Sequence, residues 1–152
     1  MFNIVLVAPQ IPQNTGTIGR LCVCVDARLH LIKPLGFDLD ESRIRRAGMD
    51  YWHFLDLTVY ENWDAFESAH PGARFLFAST KGDRSIYTWR YTPGDFLVFG
   101  NEGSGLPPEL YVRYTDSLRT IPMPGRHARS HNLANSVSIA LYEGLRQVNG
   151  WS

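Results

Sequence analysis

Lysine is nearly missing from this chain. Of its 15 basic residues only Lys33 and Lys81 are lysines and 13 are arginines, and 15 acidic residues bring the formal net charge to zero. No overall field therefore draws the molecule to nucleic acid or membrane, although arginine is the better residue for forked or stacked recognition of phosphates and bases. Cysteine is scarce as well. Cys22 and Cys24 form neither a C-x-x-C motif nor a disulfide framework, which points to a reduced, cytoplasmic protein. No apolar run approaches membrane-spanning length and no basic stretch precedes the short apolar run at the N-terminus, so a soluble chain without membrane contact is expected. Also missing are H-E-x-x-H, any Cys/His cluster at metal spacing and the G-x-S-x-G nucleophile elbow, so no metal is expected. His30, His53, His70, His127 and His131 are scattered. Neither glycine pattern that cradles phosphates is present. With no repeat, low-complexity tract or linker, residues 1–152 read as one domain.

What is present centres on Phe96-Leu97-Val98-Phe99, a short buried strand running into Gly100-Asn101-Glu102-Gly103-Ser104-Gly105-Leu106-Pro107. Three glycines there admit close backbone approach or positive φ. A glycine-rich loop at the carboxyl end of a central strand is where open α/β sheets bind ligands; a plain tight turn is the other reading. Pro107 and Pro108 supply no N–H groups, so a ligand without phosphate suits the loop better.

Around that stretch the chain alternates strands and helices. Strands are expected at 2–7, 29–32, near 57–60, at 74–80 and at 117–121, beside the one at 96–99. Asn14 or Thr15 is expected to cap a helix with Ile18, Leu21, Cys22 and Val25 inward. Asp40 opens a short helix to Ala47 that carries Arg43, Arg45 and Arg46; Asn62 caps another with Trp63, Phe66 and Ala69 inward. Tyr87, Trp89 and Tyr91 are expected to cover the sheet, and Pro107 to begin a short helix. A last helix runs from about Asn132 to Asn149 and stops at Gly150, with Leu133, Val137, Ala140, Leu141, Leu145 and Val148 as its main stripe. Ala134, Ile139, Tyr142 and Trp151 lie off that stripe and suit a partner subunit. The fold class is α/β, a mainly parallel sheet flanked by helices.

The polar residues left at loop or helix-start positions are Asn14, Arg20, Glu102, Arg129, Ser130, Asn132 and Asn135. None is an obvious nucleophile with its base, so group transfer between two positioned molecules suits the set better than hydrolysis. Asn14-Thr15-Gly16-Thr17-Ile18-Gly19-Arg20, Phe99-Gly100-x-Glu102-x-x-Gly105-Leu106-Pro107, and Ile121-Pro122-Met123 followed by Arg129-Ser130-x-Asn132-Leu133-x-Asn135 resemble the three motifs of the SPOUT RNA methyltransferases. Within them the chain is most similar to the minimal single-domain branch that 2′-O-methylates the wobble nucleotide of tRNA.

The resemblance covers essentially the whole chain. It implies an α/β-knot with a deep C-terminal trefoil knot, a homodimer, S-adenosylmethionine as methyl donor, and tRNA as substrate. By position it assigns cofactor contacts to Ala78, Gly100, Gly105, Ile121 and Ser130. It places Arg20 at the attacking 2′-hydroxyl with Asn14 at the same site; Glu102, Ser130 and Asn132 are then the candidates for holding the ribose and the loop in register. A guanidinium has no acceptor, so Arg20 is expected to orient the hydroxyl and stabilise developing charge while another group takes the proton. Arg43, Arg46 and Arg129 would meet RNA, and Tyr142 would stack on RNA or build the dimer face. His131 stands where relatives tend to carry an apolar residue. A non-catalytic knotted binding module and a ribosomal RNA methyltransferase are the alternatives. The intact Arg20 and third motif weigh against the first, and the lack of room for an extra RNA-binding domain against the second.

Overall fold

The computed structural model describes residues 1–40, 44 and 49–152. Six strands, β1 (Asn3–Val7), β2 (Arg28–Ile32), β3 (Leu57–Tyr60), β4 (Phe75–Ala78), β5 (Phe96–Phe99) and β6 (Leu118–Arg119), form its core. They make one sheet in the order β3-β2-β1-β5-β4-β6, and every pairing is parallel. Both faces of a parallel sheet are covered by its crossover connections, which is why β1 and β5 are buried throughout and apolar at every position but Asn3. Alternate residues of each strand serve opposite layers. Ile4, Leu6, Leu29, Leu31, Leu76 and Leu97 pack toward helices α1 (Pro12–Cys24) and α4 (Leu133–Asn149). Val5, Val7, Phe75, Phe77 and Val98 pack with Phe66 of α2 (Trp63–Ala69) and Leu110 of α3 (Pro108–Arg113).

Helix α4 follows its sequence pattern closely. Asn132 caps it by accepting from the Asn135 N–H at 3.2 Å, and Gly150 ends it in the left-handed region at φ 67°. Ala134 is buried with the main stripe instead of lying outside it, while Val148, Tyr142 and Trp151 are exposed. Other boundaries differ from expectation. α1 begins at Pro12, two residues before the expected cap, because proline at the first helical position costs no hydrogen bond. Ala69 and Tyr87 are exposed, so of the residues expected inward Trp63 and Phe66 turn in from α2, and Trp89 and Tyr91, joined by the buried Ile86, cover the sheet. α3 starts at Pro108 with Pro107 as its cap residue. The helix expected between Asp40 and Ala47 lies, apart from the buried Ile44, outside the described residues.

The last strand is the shortest, and its surroundings explain why. On one side Arg119 O accepts from Ser79 N–H at 2.9 Å. On the other, Thr120 N–H donates to Arg84 O at 2.7 Å and Thr120 O accepts from Ile86 N–H at 2.8 Å. A Cβ on Gly82 would fall 2.8 Å from the Arg119 carbonyl carbon, so the intervening turn closes directly over the strand. Later chain thus passes between two segments that are nearly consecutive in sequence. Chains rarely thread their own loops, and this arrangement is consistent with the C-terminal knot that the resemblance implies.

Candidate active site

The site grows from the carboxyl end of β5. Asn101 and Gly105 exchange two backbone hydrogen bonds of 3.2 Å, which folds the glycine loop back on itself. The Asn101 side-chain oxygen accepts from Gly103 N–H at 3.0 Å, Ser104 N–H at 2.7 Å and the Ser104 hydroxyl at 3.1 Å. A Cβ on Gly100 would lie 2.2 Å from the Gly105 carbonyl carbon, and Gly105 itself sits at φ +73°. Gly100 therefore admits the loop's own backbone, and the tight-turn and ligand-wall readings describe one object.

Beneath the loop stands Tyr111 of α3. Its hydroxyl accepts from Leu106 N–H at 3.3 Å and hydrogen bonds the Ser79 hydroxyl at 3.1 Å, while Lys81 Nζ lies 4.6 Å above its ring. Sequence reasoning does not single out Tyr111, Ser79 or Lys81 as site residues. The single signal for Tyr111 was its place just after the loop, and an aromatic there reads first as core.

Glu102 ties this loop to α1. Its carboxylate accepts from Gln10 N–H at 2.9 Å, Ile11 N–H at 2.8 Å and the Asn14 side-chain amide at 3.2 Å. Ile11 is the cap residue of α1 and offers no side-chain cap, so Glu102 serves its orphan N–H, and that of Gln10 just before it, from 91 and 92 residues away. The expected cap, Asn14, instead faces Asn132, whose amide donates to Asn14 Oδ1 at 3.1 Å. One chain of hydrogen bonds, Glu102–Asn14–Asn132, thus joins three stretches far apart in sequence.

These residues border a cavity of about 470 Å³. Its wall draws on Asn14, on 78–81, on 99–106, on Thr120, Ile121 and Met123, and on 130–133. Ala78, Gly100, Gly105, Ile121 and Ser130, the expected cofactor positions, all lie on it, as do Asn14, Glu102 and Asn132. Arg20 does not. It is exposed on α1, its guanidinium 5.1 Å from the centre of the Tyr51 ring. Arg129 is exposed on the segment entering the cavity wall at Ser130, and Tyr142 is exposed on α4. Arg43 and Arg46 lie outside the described residues. Among the described residues no group of His, Cys, Asp and Glu is arranged to hold a metal ion, and no helix is long and apolar enough to cross a membrane.

The SpoU rRNA Methylase family matches residues 1–142. The chain belongs to that family. This SpoU methylase is 45% identical over 152 residues to a tRNA (cytidine(34)-2'-O)-methyltransferase of Burkholderia ambifaria, with 97% of this chain and 96% of the relative covered. It superposes with a TM-score of 0.95 on a structure solved in work on 2-OH methylation of C/U34 on tRNA, at 44% identity over 99% of this chain and 97% of the other. An AdoMet-bound rRNA methyltransferase from Sinorhizobium meliloti is more distant. It is 29% identical with a TM-score of 0.85, over 95% of this SpoU chain and 56% of its own.

Proposed function

We propose that this SpoU-family chain is an S-adenosylmethionine-dependent methyltransferase acting on the ribose 2′-hydroxyl of the wobble nucleotide, a cytidine or modified uridine, in tRNA anticodon loops. The observation that carries this is the Glu102–Asn14–Asn132 chain at the cavity wall, which assembles all three motif stretches at one place. Similarity along the whole length to a cytidine(34) enzyme favours tRNA over ribosomal RNA, since the ribosomal relative is matched over only 56% of its chain.

The cavity suits the donor. Ligand sites of this kind span roughly 300–1,000 Å³ and combine apolar wall with a few polar groups. The wall here mixes Phe99, Leu106 and Ile121 with the glycine loop, Asn14, Ser130 and Asn132. Ala78, Gly100, Gly105, Ile121 and Ser130 would hold S-adenosylmethionine, which supplies a methyl group activated by its sulfonium. Arg20 orients the 2′-hydroxyl and stabilises the charge that develops on its oxygen, acting from α1 with the RNA lying between it and the cavity. Glu102 accepts three hydrogen bonds from the α1 start and so acts by positioning, not as a free base. Asn14 and Asn132 hold the two sides of the site in register. Arg43, Arg46 and Arg129 meet the RNA backbone. Tyr142, Val148 and Trp151, exposed near the chain's end, support a homodimer. One knotted domain, working in the cytoplasm without a metal, accommodates the whole reaction.

Labelled S-adenosylmethionine with bulk tRNA tests this. Native protein should label tRNA at the wobble ribose, and Arg20→Ala should lose at least about 100-fold in rate while keeping cofactor affinity. Label on ribosomal RNA alone would assign the other substrate. Cofactor binding with no transfer to any RNA would make the chain a binding module.

A further inference from the structure

The 3-10 helix Met49–Phe54 is held against α1 by a close fit at one glycine. A Cβ on Gly19 would fall 2.9 Å from the Trp52 ring and 3.0 Å from Leu55 Cδ2, so only glycine allows this approach. The residue after Gly19 is Arg20 and the residue before Trp52 is Tyr51. The docking therefore brings those two side chains together, and the guanidinium lies over the Tyr51 ring at 5.1 Å from its centroid. Tyr51 is 38% exposed, so the pair sits at the surface, open to a large ligand.

We propose that Tyr51 is a positioning residue for Arg20, holding the guanidinium by its face so that its N–H edge stays free for the RNA acceptor. This role rests on Arg20 acting at the 2′-hydroxyl. A guanidinium carries its donors around the rim of a plane. A carboxylate partner engages that rim in a forked pair and lowers the net positive charge. An aromatic ring engages the face, attracts the cation through its quadrupole and leaves the rim unoccupied. Among the described residues, no carboxylate lies within ion-pair distance of Arg20. A group that must point hydrogen bonds at a reacting oxygen needs both a fixed plane and free donors. The ring supplies the first without consuming the second.

Single-turnover and steady-state rates on tRNA decide the matter. Tyr51→Phe keeps the ring and should retain kcat to within about twofold. Tyr51→Leu should lower kcat by about tenfold, with KM for tRNA and cofactor affinity nearly unchanged. A series of increasingly fluorinated phenylalanines at position 51 keeps size and packing but removes negative charge from the ring face. Across it kcat should fall step by step while the melting temperature stays constant, a trend that a merely structural ring does not produce. A flat series, or native kcat in Tyr51→Leu, overturns the role of Tyr51. Arg20→Ala, run in parallel, separates the two claims: native activity there removes Arg20 from the acceptor, whereas an inactive Arg20→Ala beside a flat series at position 51 refutes Tyr51 alone.

Discussion

Glu102 shows how one side chain couples stability to function. Its carboxylate serves two backbone N–H groups at the start of α1 and the amide of Asn14. Hydrogen bonds to a charged acceptor contribute more than neutral ones, so Glu102→Ala should cost about 2 kcal/mol in urea unfolding. Glu102→Gln keeps one acceptor oxygen and should fall between the two. Both variants should weaken cofactor binding in calorimetry, since the loop loses its tie to α1. Gly100→Ala is a sharper probe. The added Cβ would meet backbone 2.2 Å away, a clash that no side-chain rotation relieves. Calorimetry should detect no cofactor binding to a Gly100→Ala protein whose circular dichroism matches the native chain. The positions of Glu102, Gly100, Asn14 and Asn132 were legible in the sequence because each sits in a motif. Their partners were not. A capping residue is expected within its own helix, and nothing in local spacing says that a loop 91 residues away supplies the cap.

Among the elements, α4 was read most accurately, from Asn132 as cap to Gly150 as stop, because a long amphipathic helix repeats its signal over many turns. Short elements repeat nothing. β6 is two residues long and is fixed by Ser79, Arg84 and Ile86 rather than by its own pattern. The two faces of α4 differ in what they tolerate. Gly144 lies on the buried face, where a Cβ would fall 2.8 Å from the Tyr91 ring and 3.0 Å from Phe2. On the open face Tyr142 is 47% exposed, with its ring centroid 6.5 Å from that of Trp151, itself 50% exposed. If this patch joins two copies, placing like charges on both sides of a two-fold contact should separate them. Tyr142→Asp with Trp151→Asp should shift light scattering from dimer to monomer at micromolar concentration while the helix content stays constant. An unchanged mass would remove α4 from the interface.

For the whole molecule, strand and helix alternation is enough to anticipate a parallel α/β sheet, whereas the expectation of a C-terminal knot, with which the surroundings of β6 are consistent, rests on the family resemblance alone. Threading is a relation between distant segments, and no local spacing encodes it. A second non-local feature, hidden for the same reason, is a buried polar chain across β1, β2 and β3. His30 Nε2 hydrogen bonds Asn3 Oδ1 at 3.0 Å, its Nδ1 pairs with the Tyr60 hydroxyl at 3.1 Å, and that hydroxyl meets His70 Nε2 at 3.0 Å. Burial first, and the neighbouring His70 second, push the His30 pKa down from 6.5 to about 4. His70 is lowered as well, chiefly by burial. Because the folded value lies below the unfolded one, the unfolded chain takes up the proton first. The contribution of His30 is therefore complete above pH 6.5 and is lost as pH falls toward about 4. A shift of this size corresponds to on the order of 3 kcal/mol at the acid limit. Urea unfolding from pH 7.5 down to 4.5 should show stability declining through this window. His30→Gln cannot take up the proton, so its curve should be flatter by about 2 kcal/mol across the same range. Parallel curves for the two proteins would mean that other groups, His70 or the carboxylates, and not the His30 imidazole, set the acid sensitivity of the fold.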